Sequence, residues 1–309
     1  MKKGYDLIVI TGPTATGKTG LAVSLASAID GEIISADSRQ VYRGMTIGTG
    51  KDLDDYSVNG KMIPYHLIDI CDAGEEYNLF RYKNDFRQVY SDIKNRGILP
   101  VLCGGSGLYI EAVLKDYTLL NVPVNESLRE ELRSKSDIEL EKILNEHLVP
   151  HNISDTSNRK RLIRAIEIAK YQKDSSLPGE NSQTMNYIIF AIDFDRPVLK
   201  KRITERLRQR LKYGMIEETR SLLEKGITQD KLIYYGLEYK FLAEYLDGQY
   251  NYNDMFQKLN SAIHRFSKRQ MTWFRKMERD GMKINWIDGK LSLQEKLNTV
   301  LEIMENRNE

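Results

Sequence analysis

The stretch "LIVITGPTATGKTG", residues 7–20, limits the fold more than any other part of the chain. Its first five residues are apolar and rich in β-branched side chains, which predicts a short strand. From Lys18 onward, "KTGLAVSLASAI" repeats apolar residues at helical spacing. Between the two, "GPTATGKT" fits the pattern GxxxxGK[ST]. In such a turn, glycines let backbone N–H groups point into an anion cradle at the start of a helix. Lys18 adds a positive charge, and Thr19 offers a hydroxyl to a divalent metal. Gly12, Thr14, Ala15, Thr16, Gly17, Lys18 and Thr19 are therefore expected to bind a diphosphate or triphosphate, with Thr19 as the metal ligand. The motif does not say which organic group carries the phosphates.

Further short apolar runs follow in "EIISAD" (32–37), "HLIDI" (66–70), "ILPVLCGG" (98–105) and "NYIIFAIDF" (186–194). Strands alternating with helical segments predict an α/β fold, a parallel sheet covered by helices on both faces, with its site at the carboxyl ends of the strands. Asp37, Gly104 and Gly105 would then share an edge with the loop. From 121 to 180 the strand signals stop. Leu128, Leu132, Ile138, Leu140, Ile143 and Leu144 suggest small amphipathic helices there, followed by the helical "NRKRLIRAIEIAKYQ" and the loop-like "KDSSLPGENSQ". The expected division is 1–120 for the first part of the core, 121–180 for an inserted helical subdomain, and 181–309 for completion of the core. From Pro197 onward the chain is expected to be helical to its end.

Lysine and arginine number 46 against 44 aspartate and glutamate, and this near balance hides an asymmetry. "RPVLKKRITERLRQRLK" and "HRFSKRQMTWFRKMER" are strongly basic, while "DLDDY" and "DICDAGEEY" are acidic. A local basic surface suits a polyanion such as nucleic acid, although basic residues spaced along a helix also make an ordinary solvated face. "SKRQMTWFRK" interleaves Lys268, Arg269 and Arg275 with Trp273 and Phe274, a mixture able to track a backbone and stack a base. An amphipathic helix with its aromatics in the core would look the same. "ISADSRQVYRGMTIGTGK" gathers Asp37, Ser38, Gln40 and Tyr42, where Asp37 could equally form a turn. Cys71 and Cys103 suggest neither a disulfide framework nor a zinc site. No apolar stretch reaches the roughly 18 residues of a membrane span, and the run after "MKKGYD" is too short for a signal peptide, so a cytoplasmic protein without membrane contact is expected.

Taken together, these stretches resemble the tRNA dimethylallyltransferases. "GPTATGKT", "ISADSRQVYRGMTIGTGK", "PYHLID", "GGSGLYIEAVL", "NRKRLIRAIE", "KKRITERLRQRLKYGMIEE", "GLEYK" and "SKRQMTWF" occur in that family's order and cover most of the chain. The resemblance implies a P-loop NTPase-like core whose phosphate loop holds the diphosphate of dimethylallyl diphosphate, with Mg²⁺, and consumes no nucleoside triphosphate. It implies transfer of the dimethylallyl group to the exocyclic amine of the adenosine on the 3′ side of the anticodon, with the tRNA anticodon stem-loop as partner and a monomer as the working unit. Asp37 matches the family's general base, and Thr19 and Arg206, in "RITER", complete the implied catalytic set around the diphosphate. Ser38 and Gln40 would position the adenine, and Gly104, Gly105 and Ser106 match a second glycine loop. Lys268, Arg269, Gln270 and Trp273 would hold the RNA.

Departures from the family pattern stand at Ile263 and His264, where Thr-Arg is common, at Tyr65, where His is usual, and at Glu238, Tyr239, Lys240 and Phe241. Three other readings remain open on sequence: an adenylate isopentenyltransferase, a small-molecule kinase using Asp69 or Asp193 for its metal, and an RNA-binding protein without activity.

Overall fold

The structure is a computed structural model that describes residues 4–117, 119–147, 158–174 and 185–306. Its strands are β1 (Leu7–Thr11), β2 (Glu32–Ser35), β3 (Ser57–Val58), β4 (Lys61–Met62), β5 (Tyr65–His66), β6 (Pro100–Gly104), β7 (Tyr187–Asp193) and β8 (Ile284–Asp288). Its helices are α1 (Lys18–Ile29), α2 (Leu79–Asn95), α3 (Gly107–Leu114), α4 (Glu126–Arg133), α5 (Asp137–His147) and α6 (Arg159–Asp174), then α7 (Arg196–Lys212), α8 (Met215–Glu224), α9 (Gln229–Tyr235), α10 (Leu237–Leu246), α11 (Tyr252–Arg279) and α12 (Leu293–Asn306). Two compact units result, Met1–Asp116 with Thr184–Glu309, and Tyr117–Gln183.

The larger unit is built on a six-stranded sheet in the order β5-β2-β6-β1-β7-β8. Every pairing in it is parallel. Side chains alternate across a strand, so β1 feeds two cores: Leu7 and Val9 join one apolar cluster, Ile8 and Ile10 the other. Both faces are therefore buried, and β1 is apolar throughout because it has no wet side. Parallel pairing also brings the carboxyl ends of β1, β2, β6 and β7 to one edge. There Thr11 lies in register with Gly104 on β6 and with Ala191 on β7.

Two sequence expectations need correction. "HLIDI" is not a strand: β5 stops at His66, and Leu67 and Asp69 take φ of 61° and 54°, which no strand accommodates. Ile70 and Cys71 instead donate backbone hydrogen bonds to Val41 O. The chain after Pro197 is not all helical either. "INWID" forms β8, parallel to β7, with Phe190 opposite Asn285. Asn285 fills a place where an apolar residue was the signal sought; its side-chain amide donates to Ile189 O at 2.9 Å.

The smaller unit packs α4, α5 and α6 around Leu128, Leu132, Leu140, Leu144, Leu162 and Ile166. Glu167, only 2% exposed, binds Arg129 and Arg164 and accepts from Asn125 N. Ile138 does not belong to this core and is 81% exposed. The sequence "KDSSLPGENSQ" lies outside the described residues beyond Asp174.

Candidate active site

The phosphate loop leaves β1 with Gly12 at φ 146°, where a Cβ would stand 2.8 Å from Ile192 O. Gly17 at φ 84° turns the chain into α1, whose first N–H groups have no side-chain cap. Ala15 holds φ 66°, a left-handed conformation that costs a non-glycine residue on the order of 1 kcal/mol. It belongs to the same buried apolar cluster as Leu199, Ile203 and Ile263, and its carbonyl accepts from Arg202 Nε at 2.9 Å. The loop is thus tied to α7 through Arg202 and to α11 through Gln270, which accepts from Thr14 N, and the buried Ile263 on α11 shares its apolar cluster. Thr16 closes it internally with a 2.8 Å bond to Pro13 O.

Arg206, one turn after Arg202 on α7, donates through Nη2 to Thr14 Oγ1. Burial, with Arg210 nearby, pushes its pKa down to about 10. Burial also lowers the pKa of Lys18, Arg206 adds to that effect, and Cys103 and Asp37 oppose it. Cations crowded into a half-buried site with lowered pKa values form a place where a multiply charged anion restores balance. The Cys103 thiol behind them, which donates to Lys18 O at 3.8 Å, is pushed up to about 11 by burial and stays neutral.

The second glycine loop continues β6. Gly104 packs so closely on Ala36 that a Cβ would enter its carbonyl. Ser106 N donates to Ala36 O at 3.2 Å, and Ser106 Oγ accepts from Ser38 N at 3.2 Å, locking this loop to the one after β2. Asp37 stands between them. Its Oδ1 accepts from Arg39 N at 2.9 Å, and its other oxygen has no hydrogen bond among the described residues. Gln40 accepts from Ser35 Oγ at 3.1 Å and donates to Gly50 O at 3.0 Å, so half of its amide capacity remains for a ligand.

The late helix divides the four residues grouped with it. Lys268 and Arg269 are exposed on α11. Gln270 is buried at 7% and spans the two glycine-rich loops, accepting from Thr14 N at 2.9 Å and donating to Gly105 O at 2.8 Å. Trp273 lies on Gly107, where a Cβ would collide with the indole, and its N–H is shielded without an acceptor among the described residues. Gln270 and Trp273 therefore act on the frame of the site, whereas Lys268 and Arg269 face outward.

Sequence reasoning missed three supports. Glu218 on α8 accepts from Thr46 N, Ile47 N and Gly48 N at 2.8, 2.7 and 3.0 Å, and from the Tyr239 hydroxyl at 2.7 Å. Lys51, buried, reaches Tyr42 O and Asp69. Arg202 was visible only as one more basic residue. The paired acid in "GMIEE" is a signal for Glu218 only in retrospect, because its backbone partners lie about 170 residues away.

No group of three or more His, Cys, Asp or Glu side chains fit to hold a metal occurs among the described residues. The two carboxylates a kinase reading would use are engaged, Asp69 by Lys51 and Asp193 by Phe194 N at 2.8 Å. Hard oxygen donors at the loop, the Thr19 hydroxyl above all, fit an ion that keeps water and takes most of its ligands from substrate phosphate, as Mg²⁺ does.

A family model described as IPP transferase matches residues 40–277, and one described as isopentenyl transferase matches residues 5–61. The chain belongs to the IPP transferase family. It is 54% identical over 305 residues to tRNA dimethylallyltransferase 1 of Parabacteroides distasonis, covering 99% of each chain. The full-length tRNA isopentenylpyrophosphate transferase of Bacillus halodurans has the same architecture, with a TM-score of 0.71 and 31% identity, over 97% of this chain and 95% of that one. A eukaryotic dimethylallyltransferase acting on tRNA shares the fold, with a TM-score of 0.77 at 19% identity, over 97% of this chain and 79% of its own. The P-loop NTPase-like core implied by the resemblance is thus the core of an IPP transferase family enzyme. No helix among the described residues is long and apolar enough to cross a membrane.

Proposed function

We propose that this enzyme transfers a dimethylallyl group from dimethylallyl diphosphate to the exocyclic amine of the adenosine on the 3′ side of the anticodon in tRNA. The observation that carries the reading is the meeting of Lys18, Arg206 and the uncapped start of α1 with a carboxylate, Asp37, that keeps one oxygen open. An anion-binding half and a proton-accepting half share one sheet edge.

In this reading the diphosphate lies in the loop formed by Gly12, Thr14, Ala15, Thr16, Gly17, Lys18 and Thr19, and Arg206 clamps it as a fork of donors. Thr19 would hold Mg²⁺, which supplies charge stabilisation to the leaving oxygen. The adenine amine is a poor nucleophile because its lone pair is delocalised into the ring. Asp37 accepts its proton as the new N–C bond forms and the allylic C–O bond breaks, and the electron pair of that bond leaves on the diphosphate. Gln40 and Ser38 orient the base, and Gly104, Gly105 and Ser106 shape the wall between donor and acceptor.

The target base must leave its stack to reach Asp37. Lys268 and Arg269 meet the phosphates of the anticodon stem-loop, while Gln270 and Trp273 keep the glycine loops in place beneath. The reading takes a cytoplasmic monomer as the working unit, in keeping with a donor half and an acceptor half built from the same chain. The test is transfer of labelled dimethylallyl from its diphosphate, with Mg²⁺, to unmodified tRNA and in parallel to AMP. Label in tRNA alone supports the reading. Label in AMP alone assigns the chain to nucleotide prenylation, and label in neither removes the prenyl reading.

A further inference from the structure

The acceptor side of the site carries an aromatic residue that the chemistry above leaves unused. Tyr234 and Tyr235 end α9. Tyr235 is buried, packs on Tyr42 with ring centroids 4.6 Å apart, and takes a 2.6 Å hydrogen bond from Gly74 N on its hydroxyl. This anchors the end of the helix. Tyr234, the residue before it, keeps 54% of its surface in solvent. The Arg39 guanidinium lies 5.8 Å from the Tyr234 ring centroid and the Lys231 ammonium 5.4 Å from it. Arg39 also donates to Tyr234 O at 3.4 Å, and its own N–H is the one held by Asp37.

A large ring kept in water by a fixed helix end adds little to the core. Two cations gathered at that ring make a surface attractive to phosphate and to the faces of bases. When an adenosine is drawn out of its stack, the base beside it loses a stacking partner and presents a bare face. Arg39 ties the exposed ring to the residue proposed to receive that adenosine's proton. We propose that Tyr234, oriented by Arg39, is a stacking platform for the RNA base adjacent to the target adenosine. This rests on the tRNA reading given above.

The test uses the full chain and three unmodified anticodon stem-loop RNAs: one intact, one lacking the base on the 5′ side of the target adenosine, and one lacking the base on the 3′ side. Wild type, Tyr234→Leu and Tyr234→Phe are compared for RNA affinity and for kcat/KM of prenyl transfer, with thermal unfolding as a check on folding. Tyr234→Leu is expected to weaken both about tenfold on the intact RNA, the usual scale for loss of one base–aromatic stack, and Tyr234→Phe to retain them. On one of the two abasic RNAs, wild type and Tyr234→Leu should become equal. An undiminished effect of Tyr234→Leu on both abasic RNAs, or no effect on the intact one, overturns the platform. Failure of wild type to prenylate the intact RNA is a separate result, which overturns the tRNA reading and the platform with it.

Discussion

The side-chain oxygen of Gln270 accepts a 2.9 Å hydrogen bond from the backbone N–H of Thr14, a residue 256 positions earlier in the chain. The other end of the same amide donates to Gly105 O at 2.8 Å. One N–H and one carbonyl on either side dictate which way the amide faces. A residue in the middle of a basic, RNA-like stretch is in this way the cross-tie between the phosphate loop and the second glycine loop.

Replacing Gln270 with leucine therefore strands a buried donor and a buried acceptor. We expect a loss of about 2 kcal/mol in unfolding free energy and a raised KM for dimethylallyl diphosphate, because the phosphate loop loses the tie that fixes Thr14. Denaturant unfolding and donor titration check this. If RNA affinity alone changes, Gln270 is an RNA contact and not a tie.

Asp37→Asn keeps the shape of the turn and its acceptor for Arg39 N. It removes the ability to take a proton. Single-turnover transfer should fall by about 10²- to 10⁴-fold while binding of the donor stays within about twofold of wild type. An equal loss in both would make Asp37 a binding group.

Much of this arrangement was legible because parallel sheets concentrate information at strand ends. "LIVIT", "EIISAD" and "ILPVLCGG" had to be buried strands, and the residues after each had to meet at one edge. What stayed hidden depended on partners distant in sequence. Gln270 looked like its basic neighbours, and only helix phase turns it inward while Lys268 and Arg269 face out. Leu67 and Asp69 broke an apolar run through backbone conformation, which composition does not reveal. β8 was hidden because Asn285 satisfies its side chain on a neighbouring backbone carbonyl.

Glu218 is a case of the same kind with a measurable consequence. Its carboxylate gathers three consecutive N–H groups of the turn at Thr46–Gly48, and that segment leads to Gly50, whose carbonyl holds Gln40. Glu218→Ala should cost about 1–3 kcal/mol in stability, the range for charge-assisted hydrogen bonds, and raise KM for the RNA acceptor more than for the prenyl donor. Steady-state kinetics with each substrate varied in turn separates the two. A donor KM that rises as much as the acceptor KM would show that the turn serves the whole site.

The pH dependence follows from Lys18. Burial, reinforced by Arg206, lowers its pKa from the ordinary 10.5 in the ligand-free protein, so it gives up its proton earlier on the alkaline side than a free lysine does. Only the charged form attracts diphosphate. The expected result is a kcat/KM for dimethylallyl diphosphate that holds at lower pH and declines as pH rises through this depressed pKa, with a midpoint below 10.5. Binding of the anion favours the protonated form, so donor affinity measured in that window is accompanied by proton uptake, readable as a dependence of binding heat on the buffer. Lys18→Arg should move its share of the alkaline decline upward, because a guanidinium starts from a higher pKa than an ammonium in the same surroundings. Lys18→Ala should lower the plateau by about 10²- to 10³-fold and leave only the alkaline decline set by Arg206, whose pKa is pushed down to about 10. A decline that persists unchanged in Lys18→Ala assigns the titration to another group.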